Sequence, residues 1–102
     1  MRLLVLFDLP VKTKKQRRDA TAFRNFLLKD GYHMLQYSVY VRVCNGVDAA
    51  QKHRARLCGH LPDDGAVRFL VITEKQYASI EILLGRLTEA DEPFAVQQLT
   101  IL

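Results

Sequence analysis

Residues 1–31, MRLLVLFDLPVKTKKQRRDATAFRNFLLKDG, hold the reading on which the fold turns. Leu3 to Phe7 is an unbroken apolar run too short for a stable helix, and Arg2 to Asp8 therefore suits an interior strand. Pro10 punctuates the chain. Beyond it, Thr13 opens a stretch in which Ala20, Phe23 and Leu27 recur at helical spacing, with Phe26 widening the apolar stripe. Gly31 supplies a stop after Asp30. The unit is thus a strand leading into a helix, with Asp8 at the strand terminus and Lys12, Lys14, Lys15, Arg17 and Arg18 crowding the helix entrance.

Outward from this unit the chain returns to strand character over Tyr32 to Val43, with a bend expected in Gln36–Ser38. Tyr37, Val39, Val41 and Val43 share one parity, and Ser38, Tyr40, Arg42 and Cys44 the other. Asn45-Gly46 signals a turn, and Asp48 is a candidate cap for a second helix with an apolar side of Ala50, Leu57 and Leu61. Pro62-Asp63-Asp64-Gly65 ends that helix, and Val67 to Ile72 is a β-branched strand. Thr73 with Gln76 resembles a capping box; Ser79 to Leu84 is expected to form a strand after one short turn. A polar connection then leads to the apolar residues 94–102, expected as an additional terminal strand. The order β-α-β-β-α-β points to an α/β (α+β) ferredoxin-like sandwich over 1–102 as one domain. A short chain with a modest core gains from oligomerisation, and a terminal edge strand is well placed to pair with another subunit.

At 49% hydrophobic and 25% charged residues, the composition is that of a globular protein rather than a disordered one. The net charge of +4 conceals an asymmetry: residues 1–60 carry twelve Lys or Arg against four Asp, whereas 61–102 carry three against seven acids. Such separation can focus phosphate on one face, and clustered Lys and Arg bind a nucleic-acid backbone without reading its sequence. Lys12, Lys14, Lys15, Arg17, Arg18, Arg24 and Arg42 are the candidates, with Arg54 and Arg56 extending the patch. The bland alternative is a solvated, solubilising face.

Asp8 is the candidate for chemistry, because a carboxylate fixed at a strand end can hold a hard divalent cation. Its structural alternative is to satisfy turn amides. Tyr37 and Tyr40 invite base stacking, yet their opposite parity keeps them off one face; core packing is expected for Tyr37, and core or interface for Tyr40. His53 and His60 would stand about 10.5 Å apart along a helix, too far to share a metal. The absence of a Gly-rich phosphate loop argues against ATP or nicotinamide binding. Cys44 and Cys58 match no metal or redox spacing and read as reduced thiols. With no secretory pattern and no apolar run near the roughly 20 residues of a membrane helix, a cytoplasmic protein without membrane contact is expected.

Three phrases, Met1–Pro10 (MRLLVLFDLP), Phe23–Arg42 (FRNFLLKDGYHMLQYSVYVR) and Val71–Gly85 (VITEKQYASIEILLG), together resemble the smaller of the two universal CRISPR spacer-acquisition proteins. This is the CRISPR-associated endoribonuclease family, in the branch accompanying the large single-protein RNA-guided DNA nucleases. The resemblance implies a homodimer with carboxy-terminal strands contributed across its interface. It also implies Asp8 as the metal-binding and catalytic residue, with Mg²⁺ or Mn²⁺ as cofactor, and metal-dependent cleavage of RNA or double-stranded DNA. A further implication is a role as DNA-holding bridge between dimers of the larger integrase subunit. A catalytically silent DNA-binding scaffold and a toxin-like small ribonuclease remain as alternatives.

Overall fold

A computed structural model of the protein describes residues 1–91. The elements run β1 (Arg2–Asp8), α1 (Lys14–Lys29), β2 (His33–Gln36), β3 (Val39–Val43), α2 (Val47–Cys58), β4 (Ala66–Ile72) and α3 (Glu74–Ala78), followed by a 3-10 turn at Glu89–Asp91. The strands form one sheet in the order β2-β3-β1-β4, and each neighbouring pair is antiparallel. This is the ferredoxin-like arrangement expected from the sequence. Residues 94–102, the expected terminal strand, lie outside the described residues.

Parity on β1 divides the molecule into two layers. Leu3, Val5 and Phe7 meet Phe23 and Leu27 of α1 and Ala50 and Leu57 of α2 in the main core. Tyr40 and Arg42 face the same side, since they pair with Val5 and Leu3. Leu4 and Val41 point to the opposite side, where Tyr77 and Ala90 cover them. That cover is partial, because Leu6 and Leu70 on this face remain 37% and 50% exposed.

Helix α1 starts where its chemistry requires. Thr13 accepts from the Gln16 amide while the Gln16 side chain returns to the Thr13 backbone, and Gly31 leaves the helix at φ +91°. Thr73 and Gln76 form the second capping box, ahead of α3. The second helix departs from expectation at both ends. Its N-cap is Gly46, not Asp48, which stands in the first turn where a carboxylate still favours the helix dipole. Leu61 lies beyond the end at Cys58 and is 47% exposed.

Two further expectations are corrected. No strand follows α3 among the described residues: Leu83 and Leu84, consecutive in sequence, are 89% and 96% exposed, whereas a half-buried strand would place them on opposite sides. Tyr37 is not a core residue. It sits in the β2–β3 turn at 82% exposure, because Ser38 adopts φ +67° and ends the strand parity that would have turned the ring inward.

Among the described residues one buried side-chain polar group is unsatisfied. Tyr32 is 1% exposed, and its hydroxyl has no hydrogen-bond partner among the described residues. Burial, reinforced by the Asp30 carboxylate, pushes the phenol up to about 12 from an ordinary value of 10.0. Above pH 10.0 the unfolded chain therefore loses this proton while the folded one keeps it until about 12, so stability falls as pH rises through that window. Tyr32→Phe is expected to stabilise the protein by about 1 kcal/mol at neutral pH, since a buried orphan hydroxyl is removed. It should also flatten the alkaline loss, which urea denaturation at several pH values would read.

Candidate nucleic-acid interface at the Asp8 end

Asp8 ends β1 opposite Ala66 of β4, with an exposed side chain. Two turns from distant parts of the chain flank it. The Phe7 amide donates to Ser38 O at 3.0 Å, which ties the β2–β3 turn to the residue before Asp8. From the other side, Gly65 approaches so closely that a Cβ there would lie 2.6 Å from Asp8 O. The loop before Gly65 is tethered to α1 through Lys15, whose ammonium donates to Asp19 Oδ2 at 2.8 Å and Asp63 Oδ2 at 2.6 Å. The hydrogen bonds to Asp19 and then Asp63 hold Lys15 well above the usual ammonium range, and Lys15 in turn depresses Asp63. Lys15 and Asp63 are exposed, so their tether guides the loop more than it stabilises the fold.

The basic residues are thereby sorted by their partners. Lys12, Lys14 and Arg18 are exposed, and their side chains make no hydrogen bond or ion pair among the described residues. Lys14 and Arg18 share with Arg17, Thr21, Ala22 and Asn25 an open face of α1. Arg17 also donates to Val11 O and Lys12 O, at 3.1 and 3.0 Å, organising the chain between Pro10 and the helix. Lys15 is engaged by its two carboxylates. Arg24 donates to Ser38 Oγ at 3.2 Å and lies over the Phe7 and Tyr37 rings.

Arg42 belongs to a different cluster, because its parity turns it toward the helices. Its guanidinium donates to Asp30 O at the end of α1 and to Val43 O. The Asp30 carboxylate accepts from Arg56 at 2.7 Å and lies 3.2 Å from His53 Nδ1. Arg42, Asp30, His53 and Arg56 therefore clasp α1, β3 and α2 together, and His53 is a satisfied interior histidine. His60 stacks on Phe26 at 3.9 Å and donates through Nδ1 to Arg56 O. Cys44 is buried and Cys58 exposed, both as free thiols.

Among the described residues no group of three or more His, Cys, Asp or Glu converges in a way that could hold a metal ion. No described helix is long and apolar enough to cross a membrane. The surroundings of Tyr37 and Arg2 were not legible in the sequence: the outward place of Tyr37 depends on the backbone angle of Ser38, and the burial of Arg2 on partners more than seventy positions away.

The comparisons with known proteins agree with this architecture. Residues 1–80 match the family model "CRISPR associated protein Cas2". The CRISPR-associated endoribonuclease Cas2 of Acidovorax ebreus (strain TPSY) is 60% identical over 85 residues, 83% of each chain. The protein of the same description from Ligilactobacillus salivarius (strain UCC118) is 45% identical over 86 residues, covering 84% of this chain and 85% of that one. The crystal structure of Streptococcus pyogenes Cas2 at pH 6.5 superposes with a TM-score of 0.61 at 21% identity, covering 81% of this chain and 99% of the other, and supports the fold. With the fold and four-fifths of the sequence in register with these proteins, the chain belongs to the Cas2 family, the small universal subunit of CRISPR spacer acquisition.

Proposed function

We propose that this protein is a cytoplasmic homodimer, each copy a single domain, that captures double-stranded DNA and bridges dimers of the larger integrase subunit during spacer acquisition. The carrying observation is the exposed basic face of α1 beside the strand-terminal Asp8, in a chain of this family. Lys12, Lys14 and Arg18 meet phosphates directly, while Lys15, Arg17, Arg24 and Arg42 add positive potential from positions where they also organise the protein. The half-open sheet face around Leu6 and Leu70 supports dimerisation, with residues 94–102 contributed as a strand to the second copy. Phosphate contacts position a duplex without reading it, which suits capture of varied segments.

The same dimer is proposed to have endonuclease activity on RNA or double-stranded DNA, with Asp8 as the catalytic and metal-holding residue. Mg²⁺ commonly takes one or two carboxylates and leaves its remaining positions to water and substrate phosphate, so an exposed Asp8 shared between two copies fits the ion, Mn²⁺ equally. Bound there, the metal would stabilise charge on phosphate oxygens and promote ionisation of water. That no group of three or more His, Cys, Asp or Glu converges among the described residues favours a second reading, in which the dimer is a catalytically silent DNA-binding bridge and Asp8 shapes its interface.

Integration by the purified integrase subunit, with wild-type protein, Asp8→Ala or neither, tests the function. No gain from wild type would remove the acquisition role and favour a stand-alone ribonuclease. Equal gain from both variants would assign a bridge in which Asp8 is dispensable. For DNA binding itself, Lys14→Ala and Arg18→Ala are each expected to reduce the slope of log affinity against log salt by about 1, uniformly across sequences. Lys15→Ala should change it less, because Asp19 and Asp63 already pair that charge. Fluorescence anisotropy with a blunt duplex over a salt series would separate these variants.

A further inference from the structure

We propose that Tyr37, supported by Arg24, is a stacking platform for an unpaired nucleobase at the Asp8 end of the protein. The proposal rests on the nucleic-acid reading above and adds to it a base-binding element.

A ring 82% exposed at a turn contributes little to the core, so packing does not account for an aromatic residue there. The ring is nonetheless held. The Arg24 guanidinium lies 4.9 Å from its centroid and 5.1 Å from that of Phe7, threading between an exposed aromatic and a buried one. Arg24 also donates to Ser38 Oγ at 3.2 Å, and the Phe7 amide donates to Ser38 O at 3.0 Å. These two bonds fix Ser38 at φ +67°, a conformation uncommon for residues other than glycine and one that concentrates at functional sites. The turn thus presents Tyr37 outward on a rigid base, with Arg24 bracing it and most of the ring open.

Placement indicates the ligand. The Phe7–Ser38 hydrogen bond holds the turn beside the residue preceding Asp8, and Arg24 stands on the same helix as Lys14, Arg17 and Arg18. The helix rises about 15 Å from Lys14 to Arg24, which is a few nucleotides of backbone. A strand tracked by the basic face of α1 can therefore bring a terminal or frayed base to the ring. Any base offers a π-face, so the contact tolerates sequence variation, and Arg24 adds a cation–π component beneath it.

The test uses the full-length protein with a blunt DNA duplex, the same duplex carrying a single-stranded extension with 2-aminopurine, and an RNA counterpart of the extension. Tyr37→Ala is expected to weaken the extended ligands by about 5- to 150-fold, the range of one stacked base. Its affinity for the blunt duplex and its salt slope should match wild type, and Tyr37→Phe should restore both binding and 2-aminopurine quenching. A loss confined to the DNA or the RNA extension would name the source of the base. Wild-type affinity of Tyr37→Ala for every ligand would overturn the platform while leaving phosphate binding intact. A parallel loss of dimer mass and blunt-duplex binding would overturn it in favour of an interface role. Failure of wild type to bind any ligand would remove the nucleic-acid reading, and the platform with it.

Discussion

Gly65→Ala is expected to destabilise the protein by about 3 kcal/mol, a drop in Tm on the order of 10–20 °C. Two effects add at this position. A φ of +104° is strained for any residue with a Cβ. The added methyl would also lie 2.6 Å from Asp8 O, 2.9 Å from Leu9 Cδ2 and 3.1 Å from Pro10 Cδ. The leucine methyl can yield, but the Asp8 carbonyl is backbone in a strand paired through Asp8 to Ala66, and moving it disturbs that register. Gly46 separates the two effects, because its φ is +92° and a methyl added there would meet nothing within 4 Å. Gly46→Ala should cost about 2 kcal/mol, the strain alone, since φ +92° with ψ 167° is backbone essentially confined to glycine. Equal losses in chemical denaturation at matched protein concentration would refute the close approach. Because the collision falls on Asp8, Gly65→Ala should also depress any Asp8-dependent activity by more than its folded fraction explains.

How much of this was legible in the sequence depends on the range of the determining interactions. Residues 1–31 read correctly because each signal is local: the Leu3–Phe7 run, the Thr13–Gln16 box, the Ala20–Phe23–Leu27 stripe and Gly31 each act within a few positions. Parity likewise placed Tyr40 and Arg42 on one face. It failed for Tyr37, where the phase was broken by a serine in a left-handed conformation rather than by a glycine that would have announced the turn. Ser79 to Leu84 misled for the opposite reason: Ile80, Ile82 and Leu84 alternate as in a strand, yet the stretch finds no strand partner among the described residues. At the candidate site Asp8 was legible from its strand-terminal place. Its neighbours were not, since Ser38 and Gly65 arrive through strand topology. The Lys and Arg residues could be counted in the sequence, but Lys15 meets Asp63 and Arg42 meets Asp30 only in the fold. Charge therefore pointed to a face, and the partners decide which of its cations stay unpaired among the described residues.

The same long-range logic makes Arg2 the position of the other large expected effect. Arg2 is 2% exposed, within a strand whose remaining residues are apolar up to Asp8. Its Nε donates to Glu74 Oε2 at 3.1 Å, its Nη1 donates to Ala90 O at 2.8 Å, and the guanidinium covers the Tyr77 ring at 4.2 Å. Tyr77 continues the network by donating to Ala90 O and Asp91 Oδ1, and Asp91 Oδ2 accepts from the Thr88 amide. Residues 74–91 are thus fastened to β1 through one buried cation. Arg2→Ala is expected to cost about 4 kcal/mol, combining loss of the buried charged contacts with the cavity left by the side chain. Arg2→Met restores most of the volume without the charge, and Glu74, at 42% exposure, can recover hydration once unpaired. It should cost about 2 kcal/mol, since a buried ion pair replaced by apolar volume is far less damaging than one merely broken. Equal losses for the two variants would make the polar contacts the whole effect, and a Met variant as stable as wild type would make it packing. Hydrogen exchange gives the local readout: in Arg2→Met the amides of Tyr77 and Asp91 should exchange faster while those of α1 keep their protection. Because residue 91 leads into the segment proposed to join the second copy, the same variant should dissociate as a dimer at a concentration where it is still folded. Sedimentation equilibrium with circular dichroism on the same samples would distinguish that order of events from simple unfolding.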